Sequence, residues 1–146
     1  MKRLFYIAFP LLAACGSDDE FSCDKNARFT YNGGTECAHA SIESYSKDTV
    51  NGDESFLIAL TSTFTNFKLN VGDDVELVTD KEYTYPDNVF IIGPGHSQTF
   101  SIKVTLTKLD RNARIISGVF NFETERDVNS AGVPFNSEGA FTDVAF

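Results

Sequence analysis

Tryptophan is absent from this 146-residue chain, methionine occurs once, histidine twice and cysteine three times. Two histidines leave little material for general acid–base work, which needs a poised group held near its partner. Basic residues are scarce too. Twelve Lys and Arg stand against twenty-one Asp and Glu, a net charge of −9. Nucleic-acid phosphates need clustered Lys and Arg, so this balance argues against a nucleic-acid partner. It would also set the chain against an anionic membrane surface. No apolar run approaches the roughly 20 residues of a membrane-spanning helix. No stretch carries the 3.6-residue period of an amphipathic helix. What the chain does hold is phenylalanine, fourteen in all, and a hydrophobic pattern of period two.

The chain opens with Lys2 and Arg3, followed by the short apolar run from Leu4 to Leu12. A basic start, a short apolar core and small residues before a break have the form of a secretory signal. The break is Leu12-Ala13-Ala14-Cys15, which resembles the lipobox of bacterial lipoproteins. The resemblance implies that residues 1–14 are a cleaved signal peptide, that a diacylglycerol is joined to the Cys15 sulfur, and that the new amino group is acylated. At roughly 0.8 kcal/mol per buried methylene, two or three acyl chains would moor the protein to a membrane. Gly16-Ser17-Asp18-Asp19-Glu20 then reads as a solvated leash, because adjacent acids repel each other and resist burial. It is also similar to the acidic tag of surface-exported Bacteroidota lipoproteins. That likeness implies an outer-membrane lipoprotein, with the cell surface favoured over a periplasm-facing position. The residues 16–22 reach roughly 23–25 Å when extended, so the folded part would sit close to the lipid.

Loss of residues 1–14, which carry two basic residues and no acid, leaves 132 residues and a net charge of −11. That length suits one domain, spanning 23–146 after the lipidated cysteine and leash at 15–22. Cys23 and Cys37 remain, and two cysteines in an exported protein are most simply a disulfide. Two free thiols or a metal pair are the alternative, although the spacing is too long for a CxxC motif.

From residue 28 onward the alternation predicts strands. In 100–107 every even position is apolar and every odd one polar, and Ile116, Gly118, Phe120 and Phe122 alternate beyond a polar turn at 110–113. The two runs predict a hairpin. Shorter strands are predicted at 28–31 and 36–45, joined by Asn32-Gly33-Gly34, and at 55–61, whose near-continuous apolar run suits a strand covered on both faces. Phe67, Leu69 and Val71 alternate, as do Val75 and Leu77. Brief strands at 83–85 and 89–92 flank Pro86-Asp87-Asn88, and the closing segment 140–146 has a blurred period that suits a bulge. Residues 127–134 read as a turn-rich loop. Nine or so short strands predict an all-β domain, either an antiparallel β-sandwich or a flattened up-and-down barrel.

The C-terminal third, with Val104-Thr105-Leu106-Thr107, Asp110, Asn112, Ile116-Ser117-Gly118-Val119-Phe120-Asn121-Phe122 and Gly139-Ala140-Phe141, resembles a family of small uncharacterised Bacteroidota lipoproteins. Phe29-Thr30-Tyr31-Asn32-Gly33 and Ala38 are similar to that family's first hairpin. The likeness implies a β-rich lipoprotein and carries no catalytic residue across.

Candidate chemistry is thin. His39 alternates with Ser41 and Glu43 on the polar face of a strand, where side chains stand parallel instead of converging on one substrate atom. His96 follows Gly93-Pro94-Gly95 in a turn. Asn51-Gly52-Asp53-Glu54, Gly72-Asp73-Asp74 and Pro86-Asp87-Asn88 could offer oxygen ligands to calcium, but none has the spacing of a calcium loop. Tyr83 and Tyr85 share a strand face with Lys81 and would suit a glycan platform or a buried pair equally. The sequence therefore points to a non-enzymatic lipoprotein with no catalytic residue, metal or cofactor beyond the lipid on Cys15. Its partners would be the membrane and a protein. The alternative is a barrel that holds a small apolar ligand or a glycan.

Overall fold

A computed structural model describes residues 23–31, 34–63, 65–72, 75–93, 96–123 and 136–146. The signal segment, Cys15, the acidic leash, the turn residues at 32–33, 73–74 and 94–95, and the 127–134 loop lie outside these. Among the described residues the chain forms eight strands and no helix: β1 (Ala27–Tyr31), β2 (Gly34–Lys47), β3 (Glu54–Thr61), β4 (Asn66–Val71), β5 (Glu82–Gly93), β6 (His96–Asp110), β7 (Ile115–Glu123) and β8 (Asn136–Ala145). Each pairs antiparallel with the next, and β8 returns to pair with β1, so the sheet closes into a barrel. Of the two all-β forms that the alternation allows, the chain adopts the up-and-down barrel.

An eight-stranded barrel has an interior just wide enough for side chains to fill. Phenylalanine fills it here. The Phe29 ring of β1 meets Phe67 of β4 edge-on at 4.5 Å, and Phe67 meets Phe122 of β7 at 5.4 Å. Since β1, β4 and β7 are non-adjacent strands, these contacts cross the interior from wall to wall. Ile58, Leu60, Leu69, Ile102, Val104 and Leu106 complete the dry lining. On β3 the predicted covering of both faces holds in part. Phe56, Ile58 and Leu60 are buried inside, while outward Leu57 is half-buried and outward Ala59 sits low between Ser41 and Lys68, its partners in register.

Four irregularities shift the alternation. β2 carries an extra residue between Ile42 and Ser44, and β6 carries one between Leu106 and Lys108. β8 carries one between Phe141 and Val144, where Asp143 takes φ +49°. Each extra residue reverses the inward parity, so that Tyr45, Leu109 and Val144 point to the core although their odd or even positions differ from those upstream. The bulge expected in 140–146 is this third one. The fourth corrects an expectation. The segments 83–85 and 89–92 are not two strands but one, β5, with its register broken between Tyr85 and Val89. Proline lacks a donor for the ladder, and a break in register is where a strand tolerates it.

Val75 and Leu77 are a second correction, since they lie outside every strand. Gly72 takes φ +93°, and a Cβ there would fall 2.0 Å from the Glu54 carbonyl oxygen, so only glycine can turn the chain off β4 at this point. Residues 75–81 then cross to β5, with Leu77 fully buried.

The seam between the first and last strands is short, with Ala27 opposite Phe141, Arg28 opposite Ala140 and Phe29 opposite Gly139. Asn26 lengthens it. Its side-chain oxygen accepts from Ala40 N at 2.7 Å, its side-chain nitrogen donates to Ala40 O at 2.8 Å, and its own carbonyl accepts from Thr142 N at 2.8 Å. One side chain thus stands in for a further rung of backbone pairing toward β2. Just before it, Cys23 and Cys37 form a disulfide, with Cα atoms 5.6 Å apart.

Candidate functional site

The β2–β3, β4–β5 and β6–β7 connections gather at one end of the barrel, and there the chain buries a charge. Glu54 opens β3 on the same inward parity as Phe56 and Ile58 and is 1% exposed. A carboxylate in that position is tolerated only if its oxygens are filled. Arg111, in the β6–β7 turn, donates from Nε at 3.0 and 3.2 Å and from Nη2 at 2.5 Å. Tyr45 OH donates at 3.0 Å and Lys47 Nζ at 3.3 Å, both from β2. Burial pushes the Glu54 carboxyl up, but the hydrogen bonds from Arg111, Tyr45 and Lys47 outweigh it and hold the group below the ordinary carboxylate range. Tyr45 moves the other way: burial and its bond to the Glu54 carboxylate raise it. Arg111 is raised by the same pairing.

This cluster is chemically quiet. Its one carboxylate is saturated by cationic and phenolic donors, which suits holding and not proton transfer. Nor is Glu54 available to calcium as part of an acidic turn, because those donors already occupy it. Arg111→Ala would leave the carboxylate with Tyr45 and Lys47 alone. The expected loss is roughly 2 kcal/mol by urea unfolding, less than the ~3–5 kcal/mol of a wholly buried pair because the Arg111 side chain is 39% exposed. An unchanged midpoint would show that the pair is idle.

The signal that could have found Glu54 in the sequence is its parity. In Glu54-Ser55-Phe56-Leu57-Ile58 the acid occupies an inward position, and a charge on the apolar face of a strand must have a partner. Nothing local identifies that partner, since Arg111 lies 57 residues away.

The other anticipated residues fall in separate places. Tyr83 and Tyr85 stack at 6.2 Å but are only 6% and 7% exposed, inside the core. The Tyr83 hydroxyl accepts from Val78 N at 2.8 Å, and Lys81 Nζ lies 5.0 Å from its ring centroid. Of the two arrangements that the sequence allows for this pair, the packed one fits their burial. His39 is exposed, opposite Thr61, with Ser41 and Glu43 beside it on the outer wall. The Glu43 carboxylate is bound to Lys68 at 2.7 Å, not to His39. His96 is the first residue of β6. Cys23, Asp24 and Cys37 bring three ligand-type atoms within 4.8 Å, but the two sulfurs are joined to each other. Cys15 lies outside the described residues.

A further polar group sits on the outer wall where the bulges of β6 and β8 flank β7. Lys108 Nζ donates to Asp143 Oδ1 at 2.8 Å, and Asp143 N donates to Ser117 Oγ at 2.9 Å. The Lys108 ammonium beside Asp143 holds that carboxyl below its ordinary value. These bonds fix the αL residue of the β8 bulge, and the Ser117 hydroxyl donates weakly back to Asp143 Oδ1 at 3.4 Å, an oxygen that Lys108 already neutralises. No protein-family model, curated protein or solved structure matches this chain.

Proposed function

We propose that the chain is an outer-membrane lipoprotein, held by a diacylglycerol and an N-acyl chain on Cys15, whose barrel is a non-enzymatic structural or protein-binding module favouring the cell surface. The observation that carries this reading is the order Lys2-Arg3, a nine-residue apolar run, then Leu12-Ala13-Ala14-Cys15 and an acidic leash directly before the folded body. With the chain strongly acidic, a covalent lipid is the tether that electrostatics would not supply.

Two features of the barrel support an outward-acting module over an apolar-ligand carrier. Phe29, Phe67 and Phe122 touch across the middle of the interior, where a ligand would have to sit. The buried polar residue of the barrel end, Glu54, is committed to internal partners.

Replacement of Cys15 with Ser tests the anchor. The full chain should move from the membrane fraction to the soluble fraction and keep residues 1–14, because the cut depends on lipid at this cysteine. Continued membrane attachment with normal processing would overturn the reading. For the module, a fluorescent apolar probe should gain no saturable signal from the wild-type chain. A saturable gain lost on unfolding would instead establish the carrier.

A further inference from the structure

We propose that residues 75–81 are a releasable strap over one end of the barrel, latched by the Glu54–Arg111 ion pair. The segment lies outside every ladder, between the end of β4 at Val71 and the start of β5 at Glu82. Four backbone positions hold it. Val75 O accepts from Glu54 N at 3.2 Å, Leu77 O accepts from Arg111 Nη2 at 2.8 Å, Val78 N donates to the Tyr83 hydroxyl at 2.8 Å, and Asp80 N donates to Leu106 O at 2.8 Å. Between them Leu77 is fully buried as a stopper, while Val78 next to it is 46% exposed. A segment with so few backbone bonds opens more readily than the ladders on either side of it.

Arg111 is what links the strap to charge. The same Nη2 that donates to Leu77 O donates to Glu54 Oε2, so the guanidinium is pinned between the strap and the carboxylate. Protonated Glu54 would turn one oxygen into a donor and lose most of its pull on Arg111. The charged and titratable groups around the pair are Tyr45 and Lys47 on β2, Glu76 on the strap and Arg114 in the β6–β7 turn. Glu76 is exposed, so its attraction for Arg111 is screened by water and does not replace that of buried Glu54.

The direction follows from the hydrogen bonds. They keep Glu54 ionised below the ordinary carboxylate range, so the latch holds at neutral pH and is lost as pH falls through the lowered value. Release unseats Leu77 at the end of the barrel where Tyr45, a donor to Glu54, has its ring 4.8 Å from those of Phe56 and Phe146. The device is an acid-opened apolar surface on an otherwise closed body.

The absence of tryptophan makes a clean test possible. Val78→Trp in the full chain places the sole indole on the strap at a position that is already solvent-facing. As pH falls from neutral, its emission should change while the far-UV signal of the sheet persists, the two transitions separated by about one pH unit. Adding Glu54→Gln should give the acid-form emission at neutral pH with no further change. Adding Arg111→Lys, which keeps the charge but not the two-sided grip, should move the emission transition to higher pH. Emission and sheet signals that move together in the Val78→Trp chain, or an emission transition left in place by both added substitutions, would overturn the proposal.

Discussion

The Gly139→Val chain is expected not to close its barrel. A Cβ at 139 would lie 2.5 Å from the Arg28 carbonyl oxygen, 2.5 Å from Cζ of Phe120 and 2.7 Å from Cβ of Phe29. The Phe120 ring tip could swing aside, but a backbone oxygen and a Cβ of the next strand can move only if the strand moves. That strand is β1, and Phe29–Gly139 is one of the three pairs in register between it and β8 among the described residues. Overpacking typically costs about 1–3 kcal/mol, and here it acts on the closing seam of a domain whose whole stability is of order 5–15 kcal/mol. Gly139→Ala should lose roughly 3 kcal/mol, and the two further methyl groups of valine should remove most of the folded population. Far-UV dichroism with a thermal melt reads both. Gly52→Ala is the control, because a Cβ there meets nothing within 4 Å and only the φ of +84° is strained. A valine variant that melts within a few degrees of the parent would mean that the seam yields easily.

Reduction of the Cys23–Cys37 bond should produce the second large effect. The bond closes a loop of fourteen residues' separation, for which chain entropy predicts about 3 kcal/mol. For a domain of this size that corresponds to a melting temperature lower by roughly 10 °C. The consequence is local as well as global. The bridge holds residue 23 beside β2, and Asn26 between them makes side-chain bonds to Ala40 that extend the pairing toward β2 while its carbonyl extends the seam to β8. With the bridge open, amide protection at Thr142, whose N–H donates to Asn26 O, should fall before protection in β6 and β7. Cys23→Ser should reproduce both changes without reductant. An identical melt with and without reductant would show that the bond adds nothing to the fold.

The all-β class and the β6–β7 hairpin were legible because Phe100 to Thr107 and Ile116 to Phe122 alternate without interruption, and one buried face leaves no other register open. The disulfide was legible once the lipobox resemblance set Cys15 aside, because two cysteines then remained. Val75 and Leu77 misled, since two apolar residues at period two look the same in a strand and in a strap with an inward stopper. The break at 86–88 hid the continuity of β5, because proline beside Asp and Asn is also how a turn is written. The bulges explain why Tyr45 and Val144 did not stand out as core: their inward position follows from an extra residue upstream, which alternation counted from one end does not reveal. Closure into a barrel depends on residues at opposite ends of the chain meeting, and no local pattern encodes that. The Glu54 cluster was half legible. Its acid sits on an apolar parity, whereas its partner Arg111 sits in an ordinary polar turn.

The cross-links of the seam join residues that are far apart in the chain, as in the bond from Ser137 Oγ to Thr30 O, which spans 107 positions. A growing or threading polypeptide therefore presents seven-eighths of its ring before anything can complete it. Topology of this kind folds slowly, since the largest loop must be gathered before its contacts reward it. Under the proposed lipoprotein reading, in which the chain would cross a membrane front end first, such lateness would be useful: the ring could not shut on the wrong side while its final strand had yet to be made.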